Sequence, residues 1–140
     1  MEYVEPIRNK KHILAIKRYL KRRSLRDYLL FVLGINSGLR ISDLLQLSID
    51  DVKEKDRVTL REKKTGKPKD FPLCDTCKKA IQEYLSHCHD KTGWLFKSKR
   101  RNQPISRIQA YRIINQAAQA IGMNEAIGTH TLRKTFGYWV

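Results

Sequence analysis

An arginine and an aspartate lie one helical turn apart in segment 37–45, Ser-Gly-Leu-Arg-Ile-Ser-Asp-Leu-Leu. Arg40 falls at a break between two predicted helices, and Asp43 follows it by three positions. A guanidinium that is held by a carboxylate can still donate two parallel hydrogen bonds to a phosphate from its free edge. The segment therefore predicts that Asp43 holds Arg40 and that Arg40 binds a phosphate.

A second candidate pair lies near the end of the sequence, in segment 129–134, Thr-His-Thr-Leu-Arg-Lys. The i, i+3 spacing puts His130 and Arg133 on one face of a helix that we expect to begin near Thr129. The unpaired N–H groups of a first helical turn favour an anion. Taken alone, however, such a pair is more often a solvated helix face than a site.

Helical periodicity predicts most of the elements that must position these pairs. A basic amphipathic helix is predicted over Ile7–Arg23, and Ser24 is expected to cap a second helix that runs to about Asn36. A third short helix follows Gly38, with its leucines facing inward. Later helices are predicted over 75–89 and 106–121 and from near residue 129.

Apolar and polar residues alternate after Asp50, which is typical of strands rather than helices. The alternating apolar positions begin at Val52, and the turn pair Thr65-Gly66 separates two such runs. We therefore predict an α+β fold that is mainly α-helical, with a small antiparallel β-sheet inserted after the third helix.

Length and charge narrow the class of protein. The 140 residues suit one domain, and 29 Lys+Arg against 14 Asp+Glu give a formal net charge of +15. Such a surplus favours a polyanionic partner, with nucleic acid first and an anionic membrane surface second. The cations are spread through loops and the hairpin and are not gathered on one helix backed by Trp or Phe, so we expect no membrane partner. The longest mainly apolar stretch is far shorter than the ~20 residues that span a bilayer, and the N-terminus does not read as a signal peptide. Three cysteines fit a reducing cytoplasm.

The order of three motifs carries a family resemblance. Ser-Gly-Leu-Arg-Ile-Ser-Asp-Leu, then Lys-Thr-Gly-Lys at 64–67 between two predicted strands, then His-Thr-Leu-Arg resembles the catalytic domain of the tyrosine recombinases, the phage integrase family. The resemblance covers about Ile7 to Val140. It implies that two arginines clamp the scissile phosphate, that a mobile hairpin lysine and the histidine of the His-x-x-Arg box assist, and that an acidic residue supports the first arginine. These residues are, in order, Arg40, Arg133, Lys64, His130 and Asp43.

The implied reaction is phosphodiester transesterification through a 3′-phosphotyrosyl intermediate, in site-specific recombination of double-stranded DNA. Two permanently charged guanidiniums can stabilise the charge that develops on the phosphoryl oxygens without a metal, so we expect no cofactor and no metal site. An ammonium on the hairpin, Lys64, can protonate the departing 5′ oxygen. Its neighbours Lys63, Lys67 and Lys69 are rivals for that role.

The nucleophile of the family lies a few dozen residues beyond the His-x-x-Arg box, so Tyr138 does not match it. We interpret Tyr138 and Trp139 as core residues of the last helix. Residues 1–140 are then expected to be one partial catalytic domain, without the core-binding domain and the nucleophile segment, and inactive alone. The complete protein would act as a homotetramer on paired DNA sites at the nucleoid in the cytoplasm, and this chain would be a monomer or weak dimer. The alternative is a DNA-binding module without catalysis.

Cations outside these motifs are expected to contact DNA. Those of the hairpin and of segment 97–101 would neutralise phosphates without reading sequence. The helix after Pro104 exposes arginines that can read base edges in a major groove. The cations of the first helix track the duplex or form a solvated face. The predicted DNA-contacting set is Arg61, Lys67, Lys69, Lys97, Lys99, Arg100, Arg101, Arg107 and Arg112.

The cysteines allow a second interpretation. Cys74 and Cys77, with Cys88 and its flanking histidines, supply enough ligands for zinc. Cys77 and Cys88 lie on one apolar helical stripe, and Asp75 is expected to cap that helix. We therefore favour small buried hydrophobic side chains as the role of these cysteines.

Overall fold

The computed structural model describes residues 5–100, 102–124, 127–128 and 130–139. Its helices and strands follow in the order α1 Lys10–Arg23, α2 Leu25–Ser37, α3 Ile41–Leu45, α4 Ile49–Val52, β1 Arg57–Arg61, β2 Pro68–Pro72, α5 Asp75–Ser86, α6 Arg107–Ala120 and α7 Thr131–Trp139. The mainly helical α+β fold with a small antiparallel sheet is confirmed, and a fourth short helix precedes that sheet.

The second helix, α2, is the centre of the fold. Its residues 29–34 are buried, and it packs against α1, α5 and α7. The Ser24 hydroxyl accepts a hydrogen bond from the Asp27 amide, which caps the helix as the sequence predicts. Gly38 ends it in the left-handed region, at φ 69°, where a residue without Cβ is favoured. The chain therefore turns sharply there, two residues before Arg40.

The two strands form an antiparallel hairpin with one face against the core. Val58 lies opposite Phe71 in the register, and both are buried. The hairpin leads directly into α5. Just before that helix begins, the Leu73 amide donates to the Asp56 carbonyl and closes the open end of the hairpin. The sheet is therefore anchored at its open end and projects its turn away from the core.

The N-terminal segment lies along α7. The Ile7 amide donates to Thr135 Oγ1 at 2.9 Å, and Trp139 Nε1 donates to the Ile7 carbonyl at 2.8 Å. These contacts explain why α1 begins at Lys10 and not at Ile7, since residue 7 is buried against α7 instead of entering the helix. The Asn9 side chain caps α1 by accepting from the Lys11 amide.

Three other local predictions are wrong. Val52 belongs to α4 and not to a strand, because Ser48 and Asp51 form a reciprocal capping box that starts a helical turn. Cys74, not Asp75, occupies the N-cap of α5. Tyr138 and Trp139 are not core residues: they are 50% and 41% exposed and pack edge to face against each other on the surface.

Candidate functional site

Arg40 occupies the N-cap position of α3, directly after the turn at Gly38. Its side chain is 27% exposed, and Nη1 donates to Glu62 Oε2 at 2.8 Å. A guanidinium carries five N–H donors in a planar fork. Within the described part of the chain Glu62 is its one hydrogen-bond partner, so most of the fork remains open to an anion such as phosphate.

The predicted contact between Asp43 and Arg40 is replaced by a different arrangement. Asp43 is 3% exposed, and its Oδ1 accepts from the Lys63 amide at 2.9 Å. Its Oδ2 is buried without a hydrogen-bond partner among the residues described. The hairpin brings Glu62 to Arg40 and the Lys63 amide to Asp43, so the supporting carboxylate for Arg40 is Glu62.

Glu62 is the residue of the candidate site that sequence reasoning missed. It lies 22 positions from Arg40, too far for a search confined to one helical turn. A signal is nevertheless present, because Glu62 is the single acidic residue within segment 61–69, which holds five cations. An acid that interrupts such a run is a candidate for an ion pair with a buried or half-buried arginine.

The hairpin turn that carries Lys64 is fastened by the same glutamate. The Glu62 backbone donates to the Lys67 carbonyl and accepts from the Gly66 amide, each at 2.8 Å, and its Oε1 accepts from Thr65 Oγ1 at 3.1 Å. Gly66 has φ +70°, which permits the tight turn. Lys64 is exposed at the tip. The turn is thus tied to Arg40 through a single side chain, while the ammonium of Lys64 points to solvent from a surface loop.

The last helix packs against the end of α2 at very close range. A Cβ added to Gly34 would lie 2.5 Å from Leu132 Cδ1, and one added to Gly38 would lie 2.6 Å from Phe136 Cδ2. Arg133 follows Leu132 in α7 and is half-buried. The helix that carries Arg133 is therefore seated against the end of α2, beside the turn that leads to Arg40.

His130 lies immediately before α7 and is exposed. The approach to this helix is fixed by buried threonines: Thr131 Oγ1 accepts from the Gly128 amide, and Thr135 Oγ1 donates to the Thr131 carbonyl. The Lys134 amide donates to the His130 carbonyl, which places His130 at the helix start. Thr129, where the sequence places the helix start, is outside the described residues.

The other predicted DNA-contacting cations differ in how free they are. Lys97 is engaged, since its Nζ donates to the Asp90 carbonyl at 2.7 Å and lies 3.7 Å from Asp90 Oδ2. Arg61 Nη1 donates to the Gly66 carbonyl, and Lys69 is half-buried. Arg101 is outside the described residues. The remaining predicted cations are exposed, namely Lys67, Lys99, Arg100, Arg107 and Arg112.

Among the described residues no group of three or more His, Cys, Asp or Glu side chains is placed to hold a metal ion. The expectation that all three cysteines are buried is wrong for Cys74, which is exposed at the start of α5; Cys77 is buried and Cys88 half-buried.

No helix in the described part of the chain is long and apolar enough to span a membrane.

Comparison with known proteins identifies the family and the fold of this chain. The sequence pattern of the phage integrase family matches residues 8–140. The probable integrase/recombinase YoeC of Bacillus subtilis (strain 168) is 50% identical over 138 residues, which cover 99% of this chain and 75% of that protein. The crystal structure of XerA recombinase matches with a TM-score of 0.81 at 21% identity, over 97% of this chain and 49% of that one.

A lambda integrase structure bound to DNA also matches, with a TM-score of 0.71 at 20% identity. The match covers 97% of this chain and 51% of that one. The chain thus spans about half of each of these two crystallised proteins and three quarters of the Bacillus relative. The two structures support the fold, and the sequence match supports the family. With a family match over nearly its whole length and half of its residues identical to those of a probable integrase, this chain belongs to the phage integrase family.

Proposed function

We propose that this chain provides the phosphate-binding part of a tyrosine recombinase that breaks and rejoins double-stranded DNA in site-specific recombination. One observation carries the proposal: α7 is seated on the turn before Arg40, and Glu62 ties the hairpin of Lys64 to the same arginine. In the proposal, the two guanidiniums of Arg40 and Arg133 and the ammonium of Lys64, which lie on three different elements, converge on the phosphate when DNA is bound. Such an arrangement suits a phosphodiester in which negative charge develops on several oxygens.

In this proposal the cations have distinct tasks. Arg40 and Arg133 bind the non-bridging oxygens of the scissile phosphate and stabilise the charge of the transition state. Lys64 donates a proton to the departing 5′ oxygen, and His130 orients the phosphate and assists proton transfer to and from the nucleophile. Cleavage joins the phosphorus to a tyrosine oxygen and releases the 5′ hydroxyl, so the step needs neither a metal nor a redox cofactor. A chelator is expected to leave the rate unchanged.

The nucleophile is proposed to come from outside these 140 residues. Tyr138 is half exposed, stacks edge to face on Trp139 and has the Arg8 guanidinium 5.7 Å from its ring centroid. It lies on the same helix as Arg133, five positions later. The chain by itself should therefore bind a duplex without forming a covalent adduct, as a monomer or weak dimer, while the complete protein forms tetramers on paired sites at the nucleoid in the cytoplasm.

The test of catalysis uses the complete protein and a nicked suicide duplex. Alanine in place of Arg40 or Arg133 should abolish strand cleavage, and Lys64→Ala should slow it by about 10²- to 10⁴-fold, the usual size of a general-acid effect. Duplex binding should fall far less. Arg57→Ala is the matched control, because Arg57 is an exposed hairpin arginine paired with Asp70 at the opposite end of the sheet.

The alternative function, a DNA-binding module without catalysis, predicts a different pattern. Cleavage and binding would then fall together in the Arg40 and Arg133 variants, because both arginines would act only as phosphate contacts. A covalent adduct formed by the 140-residue chain alone would overturn the proposed source of the nucleophile.

The salt dependence of duplex binding tests which cations face DNA. Lys99 is exposed, whereas Lys97 in the same segment is held by Asp90. Removing one phosphate contact lowers the slope of log K against log salt by ~1. Lys99→Gln should therefore reduce the slope, and Lys97→Gln should leave it unchanged. Equal reductions would mean that Lys97 leaves Asp90 on binding.

A further inference from the structure

The first turn of α5 holds two cysteine side chains in contact. Cys74 is the N-cap residue, in extended conformation at φ −70° and ψ 166°, and Cys77 is the third residue of the helix. Cys74 Sγ donates to Cys77 Sγ at a distance of 3.4 Å. The proposed recombination chemistry uses neither thiol.

The two thiols differ sharply in access. Cys74 is exposed, whereas Cys77 is 1% exposed. Burial closes the Cys77 thiol to reagents in solution, and it also raises the pKa of that thiol. A dissolved oxidant therefore meets Cys74 first and can reach Cys77 only through Cys74.

Little movement separates this contact from a covalent bond. Sulfurs in a disulfide lie about 2.05 Å apart, so the pair must approach by roughly a further 1.3 Å. Residues three apart in the first turn of a helix already face each other. The backbone on both sides is anchored, by the Leu73 amide on the Asp56 carbonyl and by the Lys78 amide on the Cys74 carbonyl. The disulfide can therefore form by rotation of the two side chains, without movement of the backbone.

We propose that Cys74 and Cys77 are a reactive dithiol that takes low-molecular-weight disulfides as its substrate class and closes to an intramolecular disulfide. In the first step the Cys74 thiol loses its proton, and its sulfur attacks the external disulfide; a mixed disulfide forms and one external thiol leaves. Cys77 then attacks the Cys74 sulfur, the bond between Cys74 and the external sulfur breaks, and the proton of Cys77 passes to the departing external thiolate. The protein loses two electrons and two hydrogens, and the external disulfide is reduced to two thiols.

Cys88 is a built-in control for this proposal. It lies beyond the far end of α5, eleven positions after Cys77, which is roughly 16 Å at the rise of a helix. It is half-buried. No disulfide with Cys74 or Cys77 can form across that distance, so its thiol should survive the reaction.

The experiment treats the folded 140-residue chain with excess oxidised glutathione, followed by acid, unfolding and alkylation. Free thiols should fall from three to one, with no glutathione retained. The tryptic peptide 70–78, Asp-Phe-Pro-Leu-Cys-Asp-Thr-Cys-Lys, should be lighter by two hydrogens, and the peptide that carries Cys88 should be alkylated. A stable glutathione adduct on Cys74 with Cys77 still alkylatable would overturn the proposal, as would three free thiols.

Variants separate the two steps. Cys77→Ala should stop the reaction at a stable mixed disulfide on Cys74, and Cys74→Ser should leave Cys77 unmodified in the folded protein. Cys88→Ser should close like the unchanged protein. Circular dichroism establishes that each variant is folded; if Cys77→Ala does not fold, the mass of peptide 70–78 from the unchanged chain still decides between closure and a stable adduct.

Discussion

Gly38 ends α2 at the point where α7 crosses it, and alanine at this position tests how tightly the helix of Arg133 is seated. The left-handed conformation, at φ +69°, costs an ordinary residue about 1–2 kcal/mol. The new Cβ would also lie 2.6 and 2.7 Å from two ring carbons of Phe136, and overpacking of this kind costs about 1–3 kcal/mol. Gly38→Ala should therefore lower the free energy of unfolding by about 2–5 kcal/mol.

Gly122 supplies the matched control. It follows α6 with φ +80°, and a Cβ there would have no atom within 4 Å. Gly122→Ala should thus cost only the backbone part, about 1–2 kcal/mol. Urea unfolding followed by circular dichroism gives both values, compared at equal m. In a Phe136→Leu background the cost of Gly38→Ala should shrink towards that of Gly122→Ala. Equal losses for the two glycines in the unchanged background would refute the close seating of α7.

Three further outcomes follow from single contacts. Thr135→Val keeps the side-chain shape but leaves the Ile7 amide without its acceptor. The free energy of unfolding, measured by urea titration, should therefore fall by about 1–3 kcal/mol, and Thr135→Ser should recover part of that loss. Trp139→Phe removes the Nε1 hydrogen bond to the Ile7 carbonyl and should cost about 0.5–1.5 kcal/mol by the same assay; an unchanged midpoint would contradict the contact. Lys78→Gln should raise the pKa of Asp56 towards its ordinary range, because the hydrogen bond from Lys78 is the main cause of the lowered pKa. The unchanged chain should lose this stabilising contribution as pH falls through the folded pKa of Asp56. Carboxyl NMR titration measures the pKa of Asp56 in the unchanged chain and in the variant.

The sequence predicted elements whose causes are local. Ser24 and Gly38 mark both ends of α2 because capping and positive φ depend on a few adjacent atoms. The alternation around Thr65-Gly66 likewise gave the hairpin. Val52 was misread because an apolar residue in a four-residue helix also fits an alternating pattern, and the capping box that decides the matter lies just before it.

Contacts between distant segments were beyond sequence reasoning. The partner of Arg40 depends on how the hairpin folds back over α3, and no periodicity records that approach. Trp139 looked like a core residue because its aromatic ring suits burial, yet its ring lies at the surface with the Lys10 ammonium 5.4 Å from its centroid. The roles of Lys64, His130 and Arg133 rest on the resemblance and stay predictions until cleavage is measured.

The contacts between the N-terminal segment and α7 have a mechanical consequence. Hydrogen bonds join positions 128 and 132 residues apart, from residue 7 to Thr135 and to Trp139, and cations at positions 8 and 10 rest near the two terminal aromatic rings. A pull on the chain at residue 7 is therefore transmitted to the helix of Arg133 through these hydrogen bonds as well as through the core in which Ile7 is buried. In force spectroscopy, tension applied at residue 7 should displace α7, and Arg133 with it, before α2 and α5 separate.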